Sequence, residues 1–162
     1  GCSEIFLPYL SGERTPHNNP NASGVFFGLR HATGTPQIAQ AVLEGVAFGM
    51  ADGLESLIEA GASVEAISVI GGGSKSFYWG RILSAILKRP LIYRDGAATG
   101  PALGAARLAR FAKTGGSYES AFEAPPVLAL VEPRESDFEK LSPKLETFRR
   151  LYAALKPEFQ GE

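Results

Sequence analysis

The sequence predicts an α/β domain with parallel strands flanked by helices, and three observations carry that reading. Two short apolar runs, residues 66–70 and 91–94, are each followed by a turn and a helix-patterned segment, and a long helical pattern precedes the first run. The resulting order of helix, strand, helix, strand, helix is the signature of a parallel layer. The 162 residues, 44% of them hydrophobic, suffice for one domain with a real core.

In chain order, residues 5–10 are an apolar run ending at Ser11-Gly12, and residues 13–23 are polar, with Pro16, Pro20 and three asparagines. We read a strand end followed by an ordered loop. Residues 24–29, Gly-Val-Phe-Phe-Gly-Leu, suit a short strand or a packed turn. The first long helix starts with Thr35 as cap and Pro36 at its first position. Its apolar residues recur at Ile38, Val42, Val46, Leu54, Leu57 and Ile58, and Gly61 ends it. Glu44, Asp52, Glu55 and Glu59 fall on another face, while Gly45, Gly49 and Gly53 form a smooth strip at four-residue spacing. Each such glycine costs a helix interior about 1 kcal/mol relative to alanine, so the strip predicts a close-packed neighbour. The interspersed acids exclude a membrane span.

Residues 66–70 read as a strand and 77–88 as a helix, with Tyr78, Trp79, Ile82, Leu83 and Ile86 on one face and Pro90 as the break. Residues 91–94 read as the next strand and 95–99 as a turn. The third helix runs from Pro101 to Lys113 and stops at Gly115-Gly116. Residues 117–137 are Pro-rich and weakly periodic, which reads as a surface excursion. The terminal helix is predicted to begin with Ser142 as cap and Pro143 at its first position, with Leu145, Phe148, Tyr152 and Leu155 on one stripe and Arg149 and Arg150 in solvent. Two parallel strands make a marginal sheet, so further strands are expected N-terminal to Gly1 in a longer parent, in keeping with the missing initiator Met.

A net charge of −1 with scattered Lys and Arg gives no footprint for nucleic acid or an anionic membrane, and a small molecule is the expected partner. No apolar run approaches membrane-spanning length, and the first residues lack a signal-peptide pattern. The one cysteine, Cys2, excludes an internal disulfide framework, and a cytoplasmic protein is expected. His17 and His31 lack partners at metal spacing, so no metal ligand is assigned and both are read as loop-packing or surface residues.

The turn Gly71-Gly72-Gly73-Ser74-Lys75-Ser76 joins the strand at 66–70 to the next helix. Glycines let a backbone approach a ligand, and the helix N-terminus behind them offers unpaired N–H groups. The turn fits neither the dinucleotide nor the Walker pattern, and a tight turn without a ligand is the alternative. Trp79 continues the Ile82 and Ile86 stripe and is read as core ahead of an adenine platform. Arg14 either holds the polar loop or reaches a phosphate.

The stretch from Phe6, Phe-Leu-Pro-Tyr-Leu-Ser-Gly-Glu-Arg-Thr-Pro-His-Asn-Asn-Pro, resembles the FGGY carbohydrate kinases. Gly24, Phe26, Gly28 and Leu29 open a signature of that family, and Gln37, Ile38, Ala41, Val42, Leu43 and Glu44 close it after a gap of seven residues. The glycine turn with Tyr78-Trp79, the run Gly100-Pro-Ala-Leu-Gly-Ala-Ala-Arg-Leu-Ala, and Glu146-Thr-Phe-Arg-Arg-Leu-Tyr are similar to the same family.

The resemblance implies an ATP-dependent sugar kinase of the actin-like ATPase superfamily, built from two ribonuclease-H-like domains around a cleft. Residues 1–162 would be the C-terminal part of its nucleotide-binding domain, with ATP and Mg²⁺ as cofactors and the sugar held by an N-terminal domain outside this chain. The glycine turn then stands as the adenosine motif. Gly12, Gly72, Gly73 and Ser76 are the nucleotide-binding candidates. Gly72 and Ser76 match positions that hold the nucleotide in related glycerol kinases, where the second is Asn. Gly12 matches another nucleotide-contacting glycine, while Gly71 and Gly73 also shape the turn.

The family's catalytic aspartate belongs to a Gly-Gly-Asp loop. The aspartates here, Asp52, Asp95 and Asp137, stand in other contexts, so no catalytic residue is assigned. Phosphoryl transfer needs positioning, charge stabilisation and a proton acceptor. The parent is expected to transfer the ATP γ-phosphate to the 5-hydroxyl of D-xylulose, and the chain alone to be inactive. The alternatives are a kinase part for ribulose or gluconate, and a non-catalytic nucleotide-binding or assembly module that forms a homodimer through an open sheet edge.

Overall fold

Residues 3–159 are described by a computed structural model, and Cys2 lies outside them. β1 (Ile5–Leu7) is buried along its length and pairs antiparallel with β2 (Val25–Phe27), Ile5 opposite Phe27 and Leu7 opposite Val25. Residues 24–29 thus contain a strand, and the Phe6 and Phe26 rings stack 4.4 Å apart. The loop between these strands is ordered by its own backbone: the Gly12 N–H donates to Ala22 O at 3.1 Å, and Glu13 and Asn19 exchange bonds of 2.8 and 2.7 Å.

α1 (Thr35–Glu59) begins at Thr35, but the cap is Gly34, because Gln37 Oε1 reaches back to accept from the Gly34 N–H at 3.1 Å. The predicted neighbour of the glycine strip is β1 and the segment after it. A Cβ at Gly45 would overlap the Phe6 carbonyl oxygen, with the carbonyl carbon at 3.1 Å. Gly49 faces Pro8 Cγ, 3.6 Å from an added Cβ, and Gly53 faces Thr15 O at 3.9 Å.

β3 (Ile67–Val69) and β4 (Leu91–Arg94) pair in parallel, Ile67 opposite Leu91 and Val69 opposite Tyr93, with α2 (Phe77–Leu87) in the crossover. After α3 (Pro101–Thr114) and the short α4 (Tyr118–Ala121) comes β5 (Val127–Val131), antiparallel to β4. The sheet order is β3-β4-β5, so the layer holds one parallel pair and an antiparallel outer strand. Residues 117–137 thus lie mostly at the surface, as expected, but are structured, with α4, β5 and the start of α5 among them. Leu128 and Leu130 of β5 are exposed while Ala129 and Val131 pack against the core, so the strand alternates in space, but its outward residues are apolar too and the sequence lacks the apolar–polar alternation that betrays a strand.

α5 (Glu135–Leu155) starts earlier than Ser142 and carries Pro143 in its interior. Its first two turns bury Leu141 and bring Phe138 against the core, and Glu135 and Asp137 suit the positive end of the helix dipole. Pro143 is tolerated on the exposed face. The core joins Leu7 of β1, Phe48 of α1, Ile82, Leu83 and Ile86 of α2, Leu91 of β4, and Leu145 and Phe148 of α5.

Glu44 and Asp52 of α1 are buried, at 5% and 6% exposure, and α5 supplies their partners. Lys144 pairs with Glu44, and Arg149 reaches Asp52 at 2.7 Å and Glu55 at 2.5 Å. Arg149 is exposed, as expected, but is also a structural tie; its partners lie on a different element, beyond the reach of local periodicity. Among the described residues no helix is long and apolar enough to cross a membrane.

Candidate functional site

β3 runs into Gly71, whose φ of +81° turns the chain where a side chain would strain it, and Gly72–Lys75 make one 3-10 turn. Within the turn the Ser74 N–H and Oγ donate to Gly71 O at 3.1 and 2.7 Å, and the Ser76 N–H donates to Gly73 O at 3.1 Å. Ser76 then caps α2, its Oγ accepting from the Trp79 N–H at 3.2 Å.

A second turn meets this one. Gly96 (φ +70°) and Gly100 (φ +57°) bracket the 3-10 turn Ala97–Thr99 after β4. Ala97 O accepts from the Gly71 N–H at 2.8 Å, and a Cβ on Gly100 would lie 3.7 Å from Gly71 Cα. Parallel strands bring their following turns to the same end of the sheet, the end at which α/β domains bind ligands. A cleft of about 190 Å³ beside the second turn is lined by residues that include Ile70, Asp95, Gly100 and Gly104. Arg94 and Arg107 also line it, but their guanidinium groups donate to Pro125 O at 2.8 Å and Glu123 O at 2.9 Å, which secures the approach to β5.

The candidate residues differ in what surrounds them. A Cβ at Gly72 meets nothing within 4 Å, so its backbone lies open to an approaching ligand. A Cβ at Gly73 would overlap the edge of the Trp79 indole, with Cε3 at 3.0 Å, so Gly73 is required by packing. The Ser76 hydroxyl is engaged as a helix cap. Gly12 stands apart in the loop after β1, at φ +78°, where a Cβ would lie 2.9 Å from Pro20 Cα. Gly72, Gly73 and Ser76 thus share one turn, and among the described residues no hydrogen bond joins Gly12 to it. Arg14 is exposed, and its carbonyl accepts from the Asn18 N–H at 3.1 Å. The second turn carried no site assignment from the sequence; its signal was the pair Gly96 and Gly100 around a short insert after a strand.

The titratable groups cluster elsewhere, between the first loop, α1 and α5. The His17 ring stacks on Tyr152 with centroids 3.6 Å apart, and its Nε2 lies 3.5 Å from Tyr9 Oη. Burial lowers the His17 pKa and raises that of Tyr9, the latter helped by the charges of Asp52 and Glu13. Burial also lifts Asp52 above its ordinary value, against the opposing pull of the Arg149 hydrogen bond and charge. These groups hold the loop and the helices together. Asp52 is tied to Arg149 and Asp137 to Arg81 at 3.2 Å, while Asp95 sits in the turn after β4. Among the described residues no group of three or more His, Cys, Asp or Glu is placed to hold a metal ion.

Comparison with known proteins fits this geometry. A family model described as the C-terminal domain of the FGGY family of carbohydrate kinases matches residues 4–113. The chain is 48% identical over 155 residues to the xylulose kinase of Escherichia coli strain K12, covering 94% of this chain and 32% of that protein. Among solved structures, a xylulose kinase from Brucella ovis superimposes with a TM-score of 0.83 at 37% identity, over 96% of this chain and 32% of the other. A gluconate kinase from Lactobacillus acidophilus gives a TM-score of 0.74 at 29% identity, over 94% and 31%. The chain spans about a third of the length of these relatives.

Proposed function

Because the chain belongs to the FGGY family of carbohydrate kinases, we propose that it is the C-terminal part of the nucleotide-binding domain of a sugar kinase and forms the adenosine side of the ATP site. One observation carries the reading. The Gly72 backbone is open, at the start of the 3-10 turn that leads into α2 and next to Gly71, where the two strand-following turns meet. Backbone N–H groups left open in such a turn favour an anionic, hydrogen-bonding ligand. Gly73 and Ser76 shape that surface and Gly12 contributes from its separate loop.

The parent reaction is transfer of the ATP γ-phosphate to the 5-hydroxyl of D-xylulose in the cytoplasm. The relatives at 48% and 37% identity are xylulose kinases, against 29% for the gluconate kinase, which supports that sugar over gluconate. Mg²⁺ bound to the phosphates supplies charge neutralisation, and no residue of this chain is assigned to it. The chain's own residues bind and orient the nucleotide. Asp52 and Asp137 are held in ion pairs and Asp95 lies outside a Gly-Gly-Asp loop, so no residue of the chain is assigned as proton acceptor for the sugar hydroxyl, and the chain is expected to be inactive alone.

Calorimetric titration with Mg-ATP, paired with a coupled assay on D-xylulose, tests this. Saturable binding by the chain, abolished in Gly72→Val and unaccompanied by turnover, is expected. Equal binding by Gly72→Val overturns the assignment of the turn, and turnover by the chain alone overturns its inactivity.

A further inference from the structure

We propose that Trp79 is the positioning residue of the nucleotide-facing turn, fixing it to α1 so that the open Gly72 backbone is held at a set place; the proposal rests on the reading of that turn as nucleotide-facing. Three contacts converge on this residue, two through its side chain and one through its backbone. The indole edge lies against Gly73 so closely that even a methyl group between them would overlap it. The Trp79 N–H donates to Ser76 Oγ at 3.2 Å, closing the end of the turn. The indole Nε1–H donates to Leu43 O, in the middle of α1, at 3.0 Å.

α1 is a firm anchor at that point. Gly45, two residues on from Leu43, lies directly on the Phe6 backbone of β1, so the helix cannot shift along the strand without a clash. The turn is therefore located by a continuous path from Gly73 through Trp79 and Leu43 to the core, in addition to its covalent links to β3 and α2. Tryptophan suits this place because one rigid side chain offers a broad face to the turn and a hydrogen-bond donor at its far side. A side chain that only filled space would need no such donor, and Trp79 is half-buried where the core residues Ile82 and Ile86 are buried.

The test uses the 162-residue chain and three variants: Trp79→Phe, Gly73→Ala and the double variant. Phenylalanine lacks the indole N–H and the fused-ring edge that faces Gly73. Trp79→Phe is expected to speed amide exchange at Ser74 and Ser76 about tenfold, to leave the amides of the second half of α2 unchanged, and to weaken Mg-ATP binding about tenfold by calorimetry. Gly73→Ala gives the same pattern, and the double variant is no worse than either single, because the shorter ring removes the overlap. As the sole tryptophan, Trp79 also shifts its emission on saturation with Mg-ATP in the unaltered chain, and that shift disappears in Gly72→Val.

Unchanged affinity and unchanged Ser74 and Ser76 exchange in a Trp79→Phe chain, alongside normal binding by the unaltered chain, overturn the proposal alone. Faster exchange spread evenly over α1 and α2, with affinity unchanged, also overturns it and leaves Trp79 a packing residue. If the unaltered chain binds no Mg-ATP, the nucleotide reading falls and the proposal falls with it.

Discussion

At Gly45 the backbone of α1 rests on the carbonyl of Phe6, whereas at Gly49 the nearest atom to an added Cβ is a proline carbon at an ordinary 3.6 Å. The two positions look identical in the sequence, but opposite outcomes follow. Overpacking costs about 1–3 kcal/mol, so Gly45→Ala is expected to lower the melting temperature by several degrees. Gly49→Ala gains up to about 1 kcal/mol of helix propensity and should raise it. Thermal scans of both variants check the pair. Tyr93 makes a third case: its hydroxyl is buried without a hydrogen-bond partner among the described residues, and burial raises its pKa. An unsatisfied buried hydroxyl costs about 1–3 kcal/mol, so Tyr93→Phe is expected to stabilise, and a fall in melting temperature would sink that assignment. The spacing of Gly45, Gly49 and Gly53 was enough to predict a close neighbour, but not which of the three was indispensable, because that depends on the strand the helix meets.

Among the elements, the tie between α1 and α5 was the least legible. Helical periodicity put Asp52 off the apolar face and Arg149 in solvent, and only their meeting across two elements explains why one is buried and the other engaged. The pair has a pH signature. Burial raises the Asp52 pKa above its ordinary 3.8, so the protonated carboxyl is the form the fold tolerates best. Its stabilising contribution is complete below 3.8 and is lost as pH rises through the folded-state value. Removing Arg149 takes away the influence that holds the shift in check, leaving a buried charge at neutral pH. Arg149→Ala is therefore expected to cost least near pH 4 and most near pH 7, by denaturant titration at the two values. A cost independent of pH would place the role of Arg149 in packing. β5 and the start of α5 escaped for a related reason, since an outer strand whose outward residues Leu128 and Leu130 are apolar lacks apolar–polar alternation, and a proline inside a helix mimics a helix start.

For the molecule as a whole, the order of helices and strands and the location of the glycine turn were readable because glycine and proline punctuate them. The meeting of that turn with the one after β4 was not, because it depends on parallel pairing. Apolar side chains remain uncovered over several elements: Phe27 of β2, Leu57 of α1, Ile70 after β3 and Leu108 of α3 are all at least half exposed. Where such side chains adjoin one another, uncovered apolar surface marks a contact surface. The chain is expected to bind an apolar fluorescent dye and to self-associate with rising concentration, by sedimentation, more than the longer kinase in which it is proposed to reside. Equal dye binding by the two would mean that the rest of the kinase leaves these residues uncovered.

Gly72 has a last consequence, for labelling. Its backbone has no neighbour to offend and its φ lies outside the left-handed range, so a cysteine there should fold normally. With Cys2 replaced by serine, that thiol would be unique in the chain. Its alkylation rate, read by mass alone, would then report how freely that point meets solvent, and because a side chain at Gly72 blocks the nucleotide in the proposed reading, Mg-ATP should leave the rate unchanged.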